Sequence, residues 1–149
     1  MSETTISFVP LDPYSSFQGN EIAQIRNFLV AENSNAIVLD SISVETFGKV
    51  QFIDCGANLK HIKCARCGDE IENGVWRDAM TADVSEDSGF KLETTLKCPK
   101  CKFVSKLHGL SYKEHCAFAS ARISVRVHSH FWSGWLLHIP WIGIVEARY

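Results

Sequence analysis

Apolar and polar residues alternate most strictly between positions 121 and 128 of the chain. Ile123, Val125 and Val127 fall on one side of an extended backbone, and the residues between them are polar or charged. A strand with one buried face is therefore predicted there. Further strands are predicted over three segments, 4–9, 90–96 and 142–149.

Two neighbouring apolar segments, 36–44 and 49–54, are predicted to form the strands of a hairpin. The residues between them, Thr46-Phe47-Gly48, supply a glycine for the turn. The second of these strands runs directly toward a cysteine pair that begins at Cys64.

Three segments are predicted to be helical, and in two of them, 21–32 and 131–139, the apolar residues have the spacing of a helix. Asn20 is placed to cap a helix over residues 21–32. Further helices are predicted over residues 74–84 and 131–139, and the last of them ends before Pro140.

Strand–helix–strand therefore occurs twice, once on each side of a segment at about 60–105. Two such units pair naturally into one sheet with helices on one face, which is the split βαβ or ferredoxin-like arrangement. The length of 149 residues suits one domain. We predict a single α+β domain over residues 1–149 with an inserted zinc ribbon at about 60–105.

Composition places the chain among globular proteins, with 46% hydrophobic and 21% charged residues. The formal net charge of −2 creates no overall basic field that would attract nucleic acid. The most apolar stretch, 131–145, is shorter than the roughly 18 residues of a membrane-spanning helix. The first six residues lack the positive region of a signal peptide. We therefore expect a cytoplasmic protein that does not enter a membrane.

The two cysteine pairs, Cys64/Cys67 and Cys98/Cys101, have the two-residue spacing that lets both sulfurs of a pair bind one metal ion. In a reducing compartment such pairs indicate metal or redox chemistry more often than disulfides. Four thiolates complete the tetrahedral coordination of Zn²⁺ and leave no position for a reactive water. The pattern predicts one structural zinc ion in a protein that is not an enzyme.

The spacing is also similar to that of rubredoxin, which binds one iron for electron transfer. Gly68 follows the first pair as in rubredoxin, whereas Lys102 stands where rubredoxin has a second glycine. The metal can therefore be zinc or iron. Cys55 and Cys116 have no partner at this spacing and are predicted to be small buried hydrophobes.

His128 and His130 can place two imidazoles on one face of a strand end, which would form a second metal site. Strand-edge histidines with no further ligand nearby are more often solvent-exposed. We treat exposure as the default interpretation for this pair.

Charged residues divide into two groups around the cysteines. The segment between the pairs is polar and acidic, and we predict that it buries no core of its own. Its acidic residues are predicted either to form a solvated loop or to contact a basic protein partner, and they include Asp69, Glu70, Glu72, Asp78, Asp83, Glu86 and Asp87. The basic residues beside the cysteines make nucleic-acid binding an alternative function. It is not favoured, because we expect no aromatic residue within these basic runs. They are Lys60, Lys63, Arg66, Lys97, Lys100, Lys102 and Lys106.

Several short motifs occur together with the cysteines. They are Phe8-Val9-Pro10-x-Asp12-Pro13, Phe52-Ile53-Asp54-x-Gly56 ahead of the first pair, Trp76, and Cys98-Pro99-x-Cys101. With the carboxy-terminal βαβ, they resemble a group of small bacterial proteins that combine an α+β domain with a central cysteine ribbon. The resemblance spans most of the chain, and only the cysteine pairs are specific. It implies a zinc ribbon and a binding role, since some proteins of this build are immunity partners of secreted toxins. It implies no catalytic residue.

Overall fold

The computed structural model describes residues 4–54, 61–112, 116–128 and 142–148, which form a mixed α+β structure. Its α-helices are α1 (Gly19–Asn27) and α2 (Asn73–Asp83). No helix within these ranges is long and apolar enough to cross a membrane. The strands are β1 (Thr4–Pro10), β2 (Ser43–Ile53), β3 (Ile62–Lys63), β4 (Val84–Ser85), β5 (Gly89–Phe90), β6 (Thr95–Lys97), β7 (Val104–Lys106), β8 (Ser111–Tyr112), β9 (Ala117–Val127) and β10 (Ile142–Arg148).

Six strands form the main sheet in the order β10-β1-β9-β2-β5-β4. The four long strands β10, β1, β9 and β2 pair antiparallel with one another in this order, so β1 and β2 run in the same direction with β9 between them, whereas β5 is parallel to β2. Helix α1 lies in the connection from β1 to β2. The predicted split βαβ arrangement needs a second helix between β9 and β10. That helix, predicted over 131–139, lies outside the described residues, so the complete arrangement stays a prediction.

One face of the main sheet packs against α1. Ile123, Val125 and Val127 are buried on this face, as the alternation along β9 predicts. They form one cluster with Ile25 and Leu29, from α1 and the wider helical turn that follows it over Phe28–Glu32.

Helix α1 begins earlier than predicted, because Gln18 and not Asn20 precedes its first turn. The backbone N–H of Gln18 donates to the Glu21 carboxylate at 2.8 Å, which satisfies a donor at the start of the helix.

The predicted hairpin over 36–54 is wrong. Residues 39–41 form a short 3-10 turn, and β2 continues as one strand through Thr46-Phe47-Gly48. The strand pairs with β9 on both sides of an irregularity between Thr46 and Gln51, and Gly48 lies within it at a φ of +70°. Gly48 therefore permits a bulge in β2, while pairing with β9 keeps β2 extended on both sides of the bulge.

Residues 61–112, between β2 and β9, form the insertion. Its two ends run side by side, because Ile62 pairs with Tyr112 and Lys63 with Ser111 across β3 and β8. Strands β6 and β7 form one hairpin. Strands β4 and β5 form another and join the main sheet where Gly89 of β5 pairs in parallel with Val50 of β2.

The predicted polar segment between the cysteine pairs does bury apolar residues, but in a cluster that it shares with Val50 of β2 and Phe118 of β9. The insertion contributes a buried cluster that includes Ile62, Ile71, Trp76, Leu92, Leu96, Leu107 and Leu110. These residues are scattered among charged ones, so the acidic composition concealed them. The predicted strand over 90–96 is also interrupted, since β5 ends at Phe90 and Leu92 has a φ of +59°.

An aromatic cluster attaches the insertion to the main sheet. Phe52 of β2 lies 5.8 Å from Trp76 of α2 and 6.1 Å from Tyr112 of β8, measured between ring centroids. Phe118 of β9 completes the cluster at 5.1 Å from Phe52. Trp76 donates its indole N–H to the Tyr112 hydroxyl at 3.2 Å, and that hydroxyl donates to the Leu107 carbonyl at 2.8 Å. Burial raises the pKa of Tyr112, so its hydroxyl remains a donor.

Candidate metal centre and its charged surroundings

The sulfurs of Cys64, Cys67, Cys98 and Cys101 lie within 4.8 Å of one another. Between the two pairs, the Cys64 and Cys101 sulfurs are 3.7 Å apart and the Cys67 and Cys98 sulfurs are 3.5 Å apart. A tetrahedral zinc site with Zn–S bonds of about 2.3 Å has sulfur–sulfur edges of about 3.8 Å. The two cysteine pairs therefore form one candidate metal site of the size and donor type that zinc prefers.

Each cysteine pair lies in a tight turn with the same backbone hydrogen bonds. In the first turn, the Cys64 N–H donates to the Asp69 carbonyl at 2.9 Å, and the Gly68 N–H donates to the Cys64 carbonyl at 2.9 Å. In the second, the Cys98 N–H donates to the Phe103 carbonyl at 2.9 Å, and the Lys102 N–H donates to the Cys98 carbonyl at 3.0 Å. Strands β3 and β6 deliver the two turns.

The last residue of each turn has a left-handed backbone. Gly68 has a φ of +76° and Lys102 has a φ of +65°. Glycine adopts this conformation readily, whereas a residue with a side chain does so at a cost. The second turn therefore reaches the geometry of the first although lysine occupies the glycine position.

The backbone polarises the sulfurs unequally. The Cys101 and Lys100 N–H groups lower the pKa of Cys98 to about 6, and the Cys67 and Arg66 N–H groups lower the pKa of Cys64. The Asp69 N–H acts in the same direction on Cys67, but desolvation and the neighbouring sulfurs raise its pKa to about 11. Because thiolates repel one another, all four sulfurs would ionise together only around a bound cation.

The predicted acidic residues do not all lie on the surface. Glu72 and Asp78 are exposed at α2, and Glu86 and Asp87 are exposed between β4 and β5. In the first cysteine turn Asp69 is half-buried. Glu70 there is exposed and pairs with His61.

Asp83 does not belong to the predicted contact surface, because only 3% of the residue is exposed. Its carboxylate accepts the backbone N–H groups of Leu92 at 2.7 Å and of Glu93 and Thr94 at 2.9 Å each. Burial alone would raise the pKa of Asp83, but these three donors outweigh it and lower the pKa. Asp83 thus fixes the turn that leads into β6 and Cys98.

No other candidate ligand among the described residues joins this cluster. Among the described residues, the four cysteines are the group whose ligand atoms are close enough to share a metal ion. His128 is exposed, and Cys116 is half-buried beside a cluster of Val9, Ile53, Ala119 and Val145. Cys55 and His130 lie outside the described residues.

The prediction that no aromatic residue interrupts the basic runs is wrong. Phe103 follows Lys102 in the chain, and 39% of it is exposed. The guanidinium carbon of Arg66 lies 5.6 Å from the centre of the Phe103 ring. The aromatic residue could have been found from the sequence, since Phe103 stands between Lys102 and Lys106.

Comparison with family models, curated proteins and solved structures gave no match to this chain. The resemblance to small bacterial cysteine-ribbon proteins is therefore supported by the cysteine cluster alone. The geometry and charge of the described residues carry the functional argument.

Proposed function

We propose that this protein is a non-enzymatic, zinc-stabilised module that binds a basic protein partner through the outer surface of its insertion. The observation that carries this proposal is the convergence of four sulfurs on one site within the insertion. Four protein ligands fill a tetrahedral zinc ion, so the metal has no open position for substrate or water. Its contribution is then to hold the surrounding backbone in place.

The metal is proposed to be zinc, although the same sulfurs suit iron in a rubredoxin-like electron carrier. Elemental analysis of the purified protein, with its visible spectrum, tests the assignment. We expect one zinc per chain and no visible colour. One iron per chain with strong visible absorption would replace the zinc assignment with electron transfer.

The proposed contact surface consists of the exposed outer side of α2 and the β4–β5 turn. Glu72, Val75 and Asp78 are three residues apart and so lie on one side of the helix. Val75 is 48% exposed, which places an apolar side chain between two carboxylates. Glu86 and Asp87 add further negative charge at the neighbouring turn. Acidic groups around an apolar contact favour a basic partner, because opposite charge speeds encounter and suppresses wrong partners.

Two narrower statements belong to this proposal. The partner class that we propose is a basic toxin domain, which the protein would neutralise by direct contact as an immunity protein. The fold that we propose for the whole main sheet is the ferredoxin-like split βαβ arrangement, with its second helix between β9 and β10.

Co-expression with the product of the neighbouring gene tests the partner. We expect the two proteins to elute together in size-exclusion chromatography. The double variant Glu72→Lys/Asp78→Lys should elute without the partner while retaining its zinc, because it reverses the charge of the α2 surface. Asp40→Lys is the control, since Asp40 is exposed in the turn before β2. Absence of a complex, or equal loss in the double variant and the control, would contradict the proposal.

A further inference from the structure

The β6–β7 hairpin carries a surface opposite in charge to that of α2. Residues 95–106 contain four lysines and no acidic residue. Lys97 pairs with Val104, and Lys106 pairs with Thr95, so these four residues lie on one face of the hairpin, and all four are exposed. Leu96 and Ser105 lie on the other face and are buried.

The tip of this hairpin extends the basic surface and adds an aromatic ring. Lys100 and Lys102 are exposed there, and Lys102 donates its ammonium to the Pro99 carbonyl at 2.9 Å. Arg66 and Phe103 come from opposite cysteine turns, yet the guanidinium carbon lies 5.6 Å from the ring centre. The convergence of the four sulfurs therefore also assembles a cation and an exposed ring into one platform.

We propose that this basic hairpin, residues 95–106 together with Arg66, binds single-stranded nucleic acid. The lysines would contact phosphates, and Phe103 with Arg66 would stack against a base. Lysines alone would attract any polyanion, but an exposed ring beside a guanidinium offers a base the stacking surface that single-strand binders use. Although the whole chain has a net charge of −2, screening confines charge effects to about 8–10 Å, so the local lysines govern binding at this surface.

Fluorescence anisotropy with the full zinc-loaded chain tests this proposal. The probe is a labelled 12-nucleotide RNA of mixed sequence, and the same sequence as single-stranded DNA and as duplex DNA provides the comparison. We expect both single strands to bind more tightly than the duplex. Phe103→Ala should weaken single-strand binding about tenfold or more, and Phe103→Trp should preserve it, because stacking needs an aromatic face.

The salt dependence separates the basic hairpin from general charge attraction. Lys97→Gln/Lys106→Gln should lower the slope of log K against log salt by about 1.4, since each single-strand phosphate contact contributes about 0.7. Arg26→Gln/Lys91→Gln is the control, because it removes two exposed positive charges outside the hairpin. This control should leave the slope unchanged, and circular dichroism and zinc content should match in all variants.

Three outcomes would overturn the proposal. They are no single-strand binding at 50 mM salt, an equal change of slope in the two double variants, and a glutamate homopolymer that binds as tightly as the RNA. The last result would assign the hairpin to an acidic polypeptide. None of these results bears on binding at the α2 surface, so the two proposals fail separately.

Discussion

Gly68 and Lys102 occupy equivalent positions in the two cysteine turns. Each donates its N–H to the carbonyl of the first cysteine of its pair, and each has a positive φ, +76° and +65°. The two turns thus share a backbone conformation, but only the first turn has glycine, the residue that favours it.

This relationship predicts opposite effects of substitution at the two positions. Gly68→Ala should destabilise the protein by about 1–2 kcal/mol, because an added Cβ meets no atom within 4 Å and the cost is that of a side chain at positive φ. Lys102→Gly should be more stable than Lys102→Ala by about the same amount. Thermal unfolding of the three variants measures both effects. Comparison with Lys102→Ala removes the contribution of the lysine side chain, and equal stability of the two Lys102 variants would show that the backbone is unstrained.

Asp83→Asn should cost about 1.5–3 kcal/mol at pH 7, because an uncharged amide replaces a carboxylate that accepts three backbone N–H groups. The folded-state pKa of Asp83 is lowered, so its contribution is present above the ordinary pKa of 3.8 and is lost as the pH falls through the folded value. Urea unfolding of wild type and variant should therefore converge in strong acid. Asp78→Asn, an exposed change on the same helix, should stay within about 0.5 kcal/mol of wild type at every pH.

Gly89→Ala should detach β5 from β2. A Cβ at this position would lie 2.3 Å from the Val50 carbonyl oxygen, and the φ of +68° already disfavours a side chain. We expect a loss of about 2 kcal/mol or more, measured by urea unfolding, with faster amide exchange at both strands. Gly109→Ala is the matched control, because its added Cβ meets nothing within 4 Å. Equal stability of the two variants would show that the Val50 contact is not needed.

Removing the metal should release the cysteine turns before the main sheet. Four-sulfur zinc sites have apparent binding free energies of about 10–16 kcal/mol, comparable with or above the stability of a whole domain. Chelation or Cys98→Ser should therefore expose the amides of Cys98 and Lys102 to exchange, while β1 and β9 remain protected. Hydrogen exchange followed by mass spectrometry measures this difference.

Cys116→Ser provides the control for that experiment. Cys116 lies outside the sulfur cluster, so this variant should keep one zinc per chain. If thermal unfolding were identical with and without chelator, the metal would not have a structural role.

The sequence predicted best where a pattern depends on few residues. The alternation along β9 identified its buried face because a strand repeats every two residues, and the spacing within each cysteine pair identified the four sulfurs that converge. The helix predicted over 74–84 corresponds to α2, which begins one residue earlier.

The failures came from contacts between residues distant in the chain. Gly48 indicated a turn locally, but pairing of β2 with β9 keeps the strand extended through it. Asp83 is predicted to be exposed because the three N–H groups that its buried carboxylate accepts come from residues 9 to 11 positions later. The core of the insertion was missed because Trp76 and Leu92 are buried only once β2, β9 and the cysteine turns surround them.

The pairing of β3 with β8 has a consequence for how the chain can be altered. Since Ile53 at the end of β2 pairs with Ala117 at the start of β9, the chain leaves and re-enters the main sheet at adjacent points, and the pairing of Ile62 with Tyr112 keeps the two ends of the insertion together. Insertions of different length could therefore be exchanged at this position without changing the order of β10, β1, β9 and β2. The constraint on any replacement would be a surface that covers Phe52 and Phe118, which the present insertion covers with Trp76 and Tyr112.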